Sequence, residues 1–174
     1  MKKFLLMVVV MMAALGASAQ EMYIGGGISL WRDTDRDQMA FSISPDFGYE
    51  LNERWAVGGE LIYAHNSSVD GNFVKNGFAI APYGRFTYYQ NKVVRLFLDM
   101  GVGFSTYKKN GEDSEVGFEV GVKPGLAIKC NEHFSFVTKV GFVGFRDAYL
   151  ASEKSGFGID FNGNNISIGI EYAF

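Results

Sequence analysis

The feature that most constrains this chain is a period of two that recurs in eight segments, 22–31, 38–51, 54–66, 76–90, 92–107, 114–129, 133–146 and 164–174, in which the successive apolar positions of one phase carry no charge. That phase reads Ile24, Gly26, Ile28 and Leu30 in the first segment, and Phe78, Ile80, Pro82, Gly84, Phe86 and Tyr88 in the fourth. In the sixth it reads Val116, Phe118, Val120, Val122, Pro124, Leu126 and Ile128, and in the seventh Phe134, Phe136, Thr138, Val140, Phe142 and Gly144. The opposite phase carries Asp46, Glu50, Glu60, Arg85, Arg95, Asp99, Glu115, Glu119, Lys123, Lys129, Lys139 and Glu171. A one-residue slip would exchange the two faces of a strand, and twelve charges on seven segments would all share a face by accident about one time in 32.

The connections alternate in length. Leu51-Asn52-Glu53-Arg54, Gln90-Asn91-Lys92 and Cys130-Asn131-Glu132-His133 are tight, whereas 32–37, 67–75, 108–113 and 147–163 are longer. Short turns on one rim and longer loops on the other predict an eight-stranded antiparallel up-and-down transmembrane β-barrel. A soluble barrel with its apolar phase inside has the same period. Aromatics near the strand ends favour the membrane: Tyr49, Trp55, Tyr88, Phe134, Tyr172 and Phe174 on the short-turn rim, and Tyr63, Phe78, Phe104 and Phe142 towards the other. After residue 19 there is no apolar run long enough for a transmembrane helix, so any crossing is made by strands.

Residues 1–19 read as a cleavable signal peptide: basic Lys2 and Lys3, an apolar stretch from Phe4 to Leu15, and Ala17-Ser18-Ala19 before Gln20. The remaining 20–174 is short enough for one domain. Removing the two lysines takes the net charge from −3 to −5. With no basic run, nucleic acid is a poor partner. Cys130 is the single cysteine, so no intrachain disulfide supports the fold.

With these features the mature chain resembles the small outer-membrane β-barrel family, eight-stranded proteins similar to the OmpA transmembrane domain and OmpX. The alternating end Ile166-x-Ile168-x-Ile170-x-Tyr172-x-Phe174 carries the most specific part of the resemblance, and the hairpin from Gly48 to Gly58 adds to it. The resemblance implies a monomer in the outer membrane among phospholipid and lipopolysaccharide. It also implies Ile170, Tyr172 and Phe174 as the signal read by the barrel-assembly machinery after delivery by periplasmic chaperones. No cofactor is implied. No peptidoglycan-binding segment follows the eighth strand, so the wall-anchoring part of the OmpA resemblance is missing.

An eight-stranded barrel has room inside for little beyond its own side chains. Glu60, Arg85, Asp99, Lys123, Lys139 and Glu171 fall at similar depths from the short-turn rim, three acids against three bases, and Glu119 follows on the same phase. Unpaired burial would cost several kcal/mol for each group, so an ion-pair network that plugs the lumen is expected, with a narrow gated ion path as the alternative. A second alternative is an enzyme modifying lipid A or phospholipid. His133-Phe134-Ser135 with Asp147 resembles the His-x-Ser and acid set of the lipid A 3-O-deacylases, but the spacing places the histidine at the short-turn rim and the acid at the opposite end of the same strand. His65 falls at the loop end of the third segment, a position for solvent or headgroups and not for a metal. Asp33-Thr34-Asp35-Arg36-Asp37 spaces carboxylates as calcium loops do, yet lacks the glycine and glutamate such loops need. No metal or catalytic site is therefore expected, and recognition is left to the loops, above all 147–163 with Tyr149, Leu150, Phe157 and Phe161.

Overall fold

A computed structural model describes residues 22–33, 38–69, 72–109, 113–151, 155–161 and 166–174. The expected export signal and residues 34–37 of the acidic first loop lie outside them. The strands are β1 (Met22–Asp33), β2 (Gln38–Glu50), β3 (Trp55–Val69), β4 (Asn72–Gln90), β5 (Val94–Lys109), β6 (Ser114–Lys129), β7 (Phe134–Val140), β8 (Phe142–Asp147), β9 (Gly156–Asp160) and β10 (Ile166–Ala173). All pair antiparallel, and each of β1 to β6 pairs with the next. β6 then pairs with β7 at its lower end and with β8 above. β10 pairs with both β7 and β1, which closes the ring. Because β9 pairs with β8 just as β10 pairs with β7, β7 with β8 and β9 with β10 act as the seventh and eighth staves of one eight-staved barrel.

One asparagine builds each short turn. Asn52 Oδ1 accepts the amides of Arg54 and Trp55, Asn91 Oδ1 those of Val93 and Val94, and Asn131 Oδ1 those of His133 and Phe134, all between 2.7 and 3.0 Å. An asparagine side chain that holds the backbone two and three residues onward imitates a backbone turn and sets the register of the hairpin it closes. The other rim differs from expectation. β3 and β4 run on as paired strands to Val69 and Asn72, so the connection is shorter than the expected 67–75. Within the expected last loop, 147–163, Gly156–Asp160 forms a strand that pairs with β8, with Phe157 opposite Phe145 and Ile159 opposite Val143.

The seventh stave holds the main correction. Gly125 pairs with Lys139, but Val122 pairs with Val143, so one residue has been inserted around Gly141. Gly141 has φ +76°, a left-handed conformation that favours glycine. The bulge reverses the phase above it. Phe142, expected on the lipid face, is instead 5% exposed, and Gly144 also turns inward. The same reversal brings Arg146 into the lumen opposite Glu119, a position that unbroken alternation would have turned towards lipid.

Elsewhere the uncharged phase points outward and is open: Ile28 is 69%, Phe104 55% and Val116 75% exposed. In water such a surface would be a severe liability; against hydrocarbon it is the apolar band of a transmembrane barrel.

Two stability changes follow. Gly141→Val forces a branched residue into left-handed space against the Phe161 ring, and should lower unfolding free energy in lipid vesicles by about 1–3 kcal/mol. Val122→Arg, on the lipid face of β6, should cost roughly 2–4 kcal/mol in the same urea titration.

Candidate functional site: the filled lumen

Inward positions of every stave meet in two charge clusters. The lower one is built around Arg85 of β4, which is 1% exposed. Its Nε and Nη2 donate to the two oxygens of Asp99 at 2.7 and 3.0 Å, and its Nη1 donates to Glu171 Oε2 at 2.7 Å. The guanidinium also lies 4.0 Å from the Phe97 ring centre and about 5 Å from those of Tyr23 and Tyr83. A planar cation with two carboxylate partners and apolar rings over its face is a geometry that arginine satisfies and lysine does not. Arg95 bridges Glu171 and Glu50, the latter at 2.8 Å.

Lys139 of β7 reaches Asp46 and Asp99 at 3.2 Å and Glu60 at 3.5 Å. Tyr83 donates to Asp46 and meets the Tyr23 hydroxyl at 2.8 Å. These contacts span the barrel from β2 and β3 to β7 and β10.

The upper cluster is smaller. Glu119 accepts from Lys123 at 2.6 Å and from Arg146 Nε and Nη2 at 3.0 and 2.8 Å. Arg146 lies over the Phe142 ring at 4.3 Å. Tyr149, from the short 3₁₀ turn Tyr149–Ala151, covers this cluster, its ring next to the position a Cβ on Gly103 would occupy. Burial holds its hydroxyl above the ordinary phenol range. Ser105 accepts the Leu150 amide at 2.9 Å and so fixes the turn.

Glu60, Arg85, Asp99, Lys139 and Glu171 thus meet in one cluster, but Lys123 does not join them. Although it stands opposite Asp99 across the sheet, its side chain turns along the lumen to Glu119, on the same face of β6. The lower cluster contains Asp46, Glu50, Glu60, Asp99 and Glu171 against Arg85, Arg95 and Lys139, an acidic surplus instead of the expected balance. Sequence reasoning missed the lumenal rings Tyr23, Tyr83 and Phe97. Their signal was phase, since Tyr83 stands two residues from Arg85 and Phe97 two from both Arg95 and Asp99.

At the C-terminus Tyr172 packs edge-on against Phe134 and Phe174, with ring centres 4.9 and 5.1 Å apart. Ile170 is exposed on the outer face and pairs with Gly26 and Phe136. His133 stacks on Tyr172 and contacts the Ala173 carbonyl, while Ser135 is paired with Glu171 across the sheet. Asp147 accepts from Ser155 at the far end of the seventh stave. No hydrolytic triad is brought together by these three residues. His65 contacts Asn76, and among the described residues no three His, Cys, Asp or Glu side chains are grouped to hold a metal ion.

The sequence matches the outer membrane protein beta-barrel domain family over residues 4–174. No curated protein matches it. Among solved structures it is similar to the N-terminal β-barrel domain of Pseudomonas aeruginosa OprF, with a TM-score of 0.59 and 11% identity over 89% of this chain and 97% of that one. It is also similar to the Yersinia pestis outer membrane protein Ail in a phospholipid bilayer nanodisc, with a TM-score of 0.54 and 16% identity over 90% and 100% of the two chains. Taken with the apolar outer face and the charged interior, the family match makes this chain a member of the outer membrane protein beta-barrel domain family and an integral outer-membrane protein.

Proposed function

We propose that residues 1–19 are removed on export and that residues 20–174 form a single, non-enzymatic barrel whose lumen is closed by its own side chains. It serves envelope structure or surface interaction through its extracellular loops, among phospholipid and lipopolysaccharide. The observation that carries this reading is the burial of Arg85 across the lumen, bonded to Asp99 and Glu171 on two other strands. Removing those bonds to admit ions would leave desolvated charges unpaired, at several kcal/mol each. The outward row Ile170, Tyr172 and Phe174 serves as the assembly signal.

One observation favours the narrow-channel reading as the second choice. Cavities of about 40 and 30 Å³ lie on either side of Lys139 and Glu60, each with room for about one to three waters. With the acidic surplus around them, any current through the lumen would be carried by cations.

Planar-bilayer recordings of the mature protein should show no steady, resolvable conductance. A steady cation-selective conductance that rises in Lys139→Ala would favour the channel instead. Tyr172→Ser with Phe174→Ser should sharply reduce the heat-modifiable, folded form in the outer-membrane fraction and leave the total amount exported unchanged; undiminished assembly would remove the proposed signal.

A further inference from the structure

The closing seam of the barrel differs from the other strand pairs. β1 pairs with β2 along its full length, from Met22 to Asp33, but its registered pairing with β10 runs only from Tyr23 to Gly26. There Gly25 and Gly26 stand opposite Glu171 and Ile170, and Gly169 packs against Gly26 and Gly27 so closely that a Cβ on it would lie 2.5 Å from the Gly26 carbonyl oxygen. The wall here is bare backbone. On its lumenal side is the small polar cavity beside Asp46, Glu60, Lys139 and Glu171. On its outer side is an apolar groove of about 550 Å³, floored by the same glycines and walled by Ile24, Ile28, Ile43, Phe136, Ile168 and Tyr172.

We propose that this groove is a binding site for one acyl chain of a phospholipid in the periplasmic leaflet. The inference rests on the membrane location already established and goes beyond it by naming a single retained lipid. The groove is a recess in the lipid-facing band and continuous with it: Ile24, Ile28, Ile168 and Ile170 belong to the outward phase that meets hydrocarbon all round the barrel. Here the missing side chains leave a trough whose walls offer contact on several sides at once, and the gain scales with the apolar area enclosed.

Depth selects the leaflet. By the rise of a tilted strand the groove runs from Ile24, about 5 Å above Met22 at the short-turn rim, to Ile28, about 15 Å above it, so its centre lies in the periplasmic half of a band roughly 25 Å tall. That half of an outer membrane is phospholipid. No charged side chain lines the groove, so the chain is held by shape and apolar contact and not by a headgroup pair.

The test is native mass spectrometry of the mature protein released by mild detergent from vesicles of phosphatidylethanolamine and phosphatidylglycerol. Wild type should retain one phospholipid. Ile168→Trp and Ile28→Trp, both at sites that are about 70% exposed and able to take a larger side chain, should fill the trough and reduce the retained fraction about tenfold or more. Leu98→Trp, on the lipid face across the barrel, should retain it as wild type does. Heat-modifiable migration identifies the folded variants, and either groove variant suffices if the other fails to assemble. A wild type released without lipid, equal retention in all variants, or a dimer that the groove variants abolish would each overturn the proposal. Absence of membrane insertion by wild type would instead strike at the membrane location, and it is read separately by flotation of the vesicles.

Discussion

Arg85 occupies a place where an unpaired cation would cost several kcal/mol, and the arrangement around it follows from avoiding that cost. Its nitrogens bind Asp99 from β5 and Glu171 from β10, strands on either side of the barrel from one another. Each carboxylate is in turn shared, Asp99 with Lys139 and Glu171 with Arg95. A cross-section that contained only apolar side chains could slip in register without penalty. One in which each charge has fixed partners on distant strands cannot, so the network specifies the closure of the barrel as well as filling it.

The outside obeys the opposite rule. Lipid makes no hydrogen bonds, so every backbone group within the band must be satisfied by a neighbouring strand, and only a closed ring achieves that. The short turns contribute through Asn52, Asn91 and Asn131, which fix three hairpins with the same pair of side-chain bonds. The ring is least uniform where the first and last staves meet, and there glycines permit a backbone approach that any side chain would block. Close approach leaves the outer face hollow, which links a requirement of closure to a place where a lipid can lodge.

Strand positions and the two faces were legible because charge cannot face hydrocarbon, so Asp46, Arg85, Asp99, Lys139 and Glu171 had to share one side. Partners within that side were less legible. Lys123 does lie level with Asp99 and Arg85 across the sheet, but depth does not say which way a long side chain leans, and its ammonium pairs with Glu119, the carboxylate that Arg146 also holds. The bulge at Gly141 escaped notice because one inserted residue leaves composition unchanged and alters only what lies beyond it. Arg146 was the available clue: continued alternation would have turned it into lipid. Tyr23, Tyr83 and Phe97 were overlooked since aromatics in a membrane barrel are read first as girdles, although their phase placed them inside.

The central claim is that the lumen is closed by mutually dependent buried charges. It is tested most directly by a double-mutant cycle on Arg85 and Asp99, with unfolding free energy measured in lipid vesicles for Arg85→Met, Asp99→Leu and the pair. The account predicts that each single change costs about 3–5 kcal/mol, because it strands the other charge, and that the double variant is no less stable than either single one. Additive losses, or single changes that cost almost nothing, would contradict it.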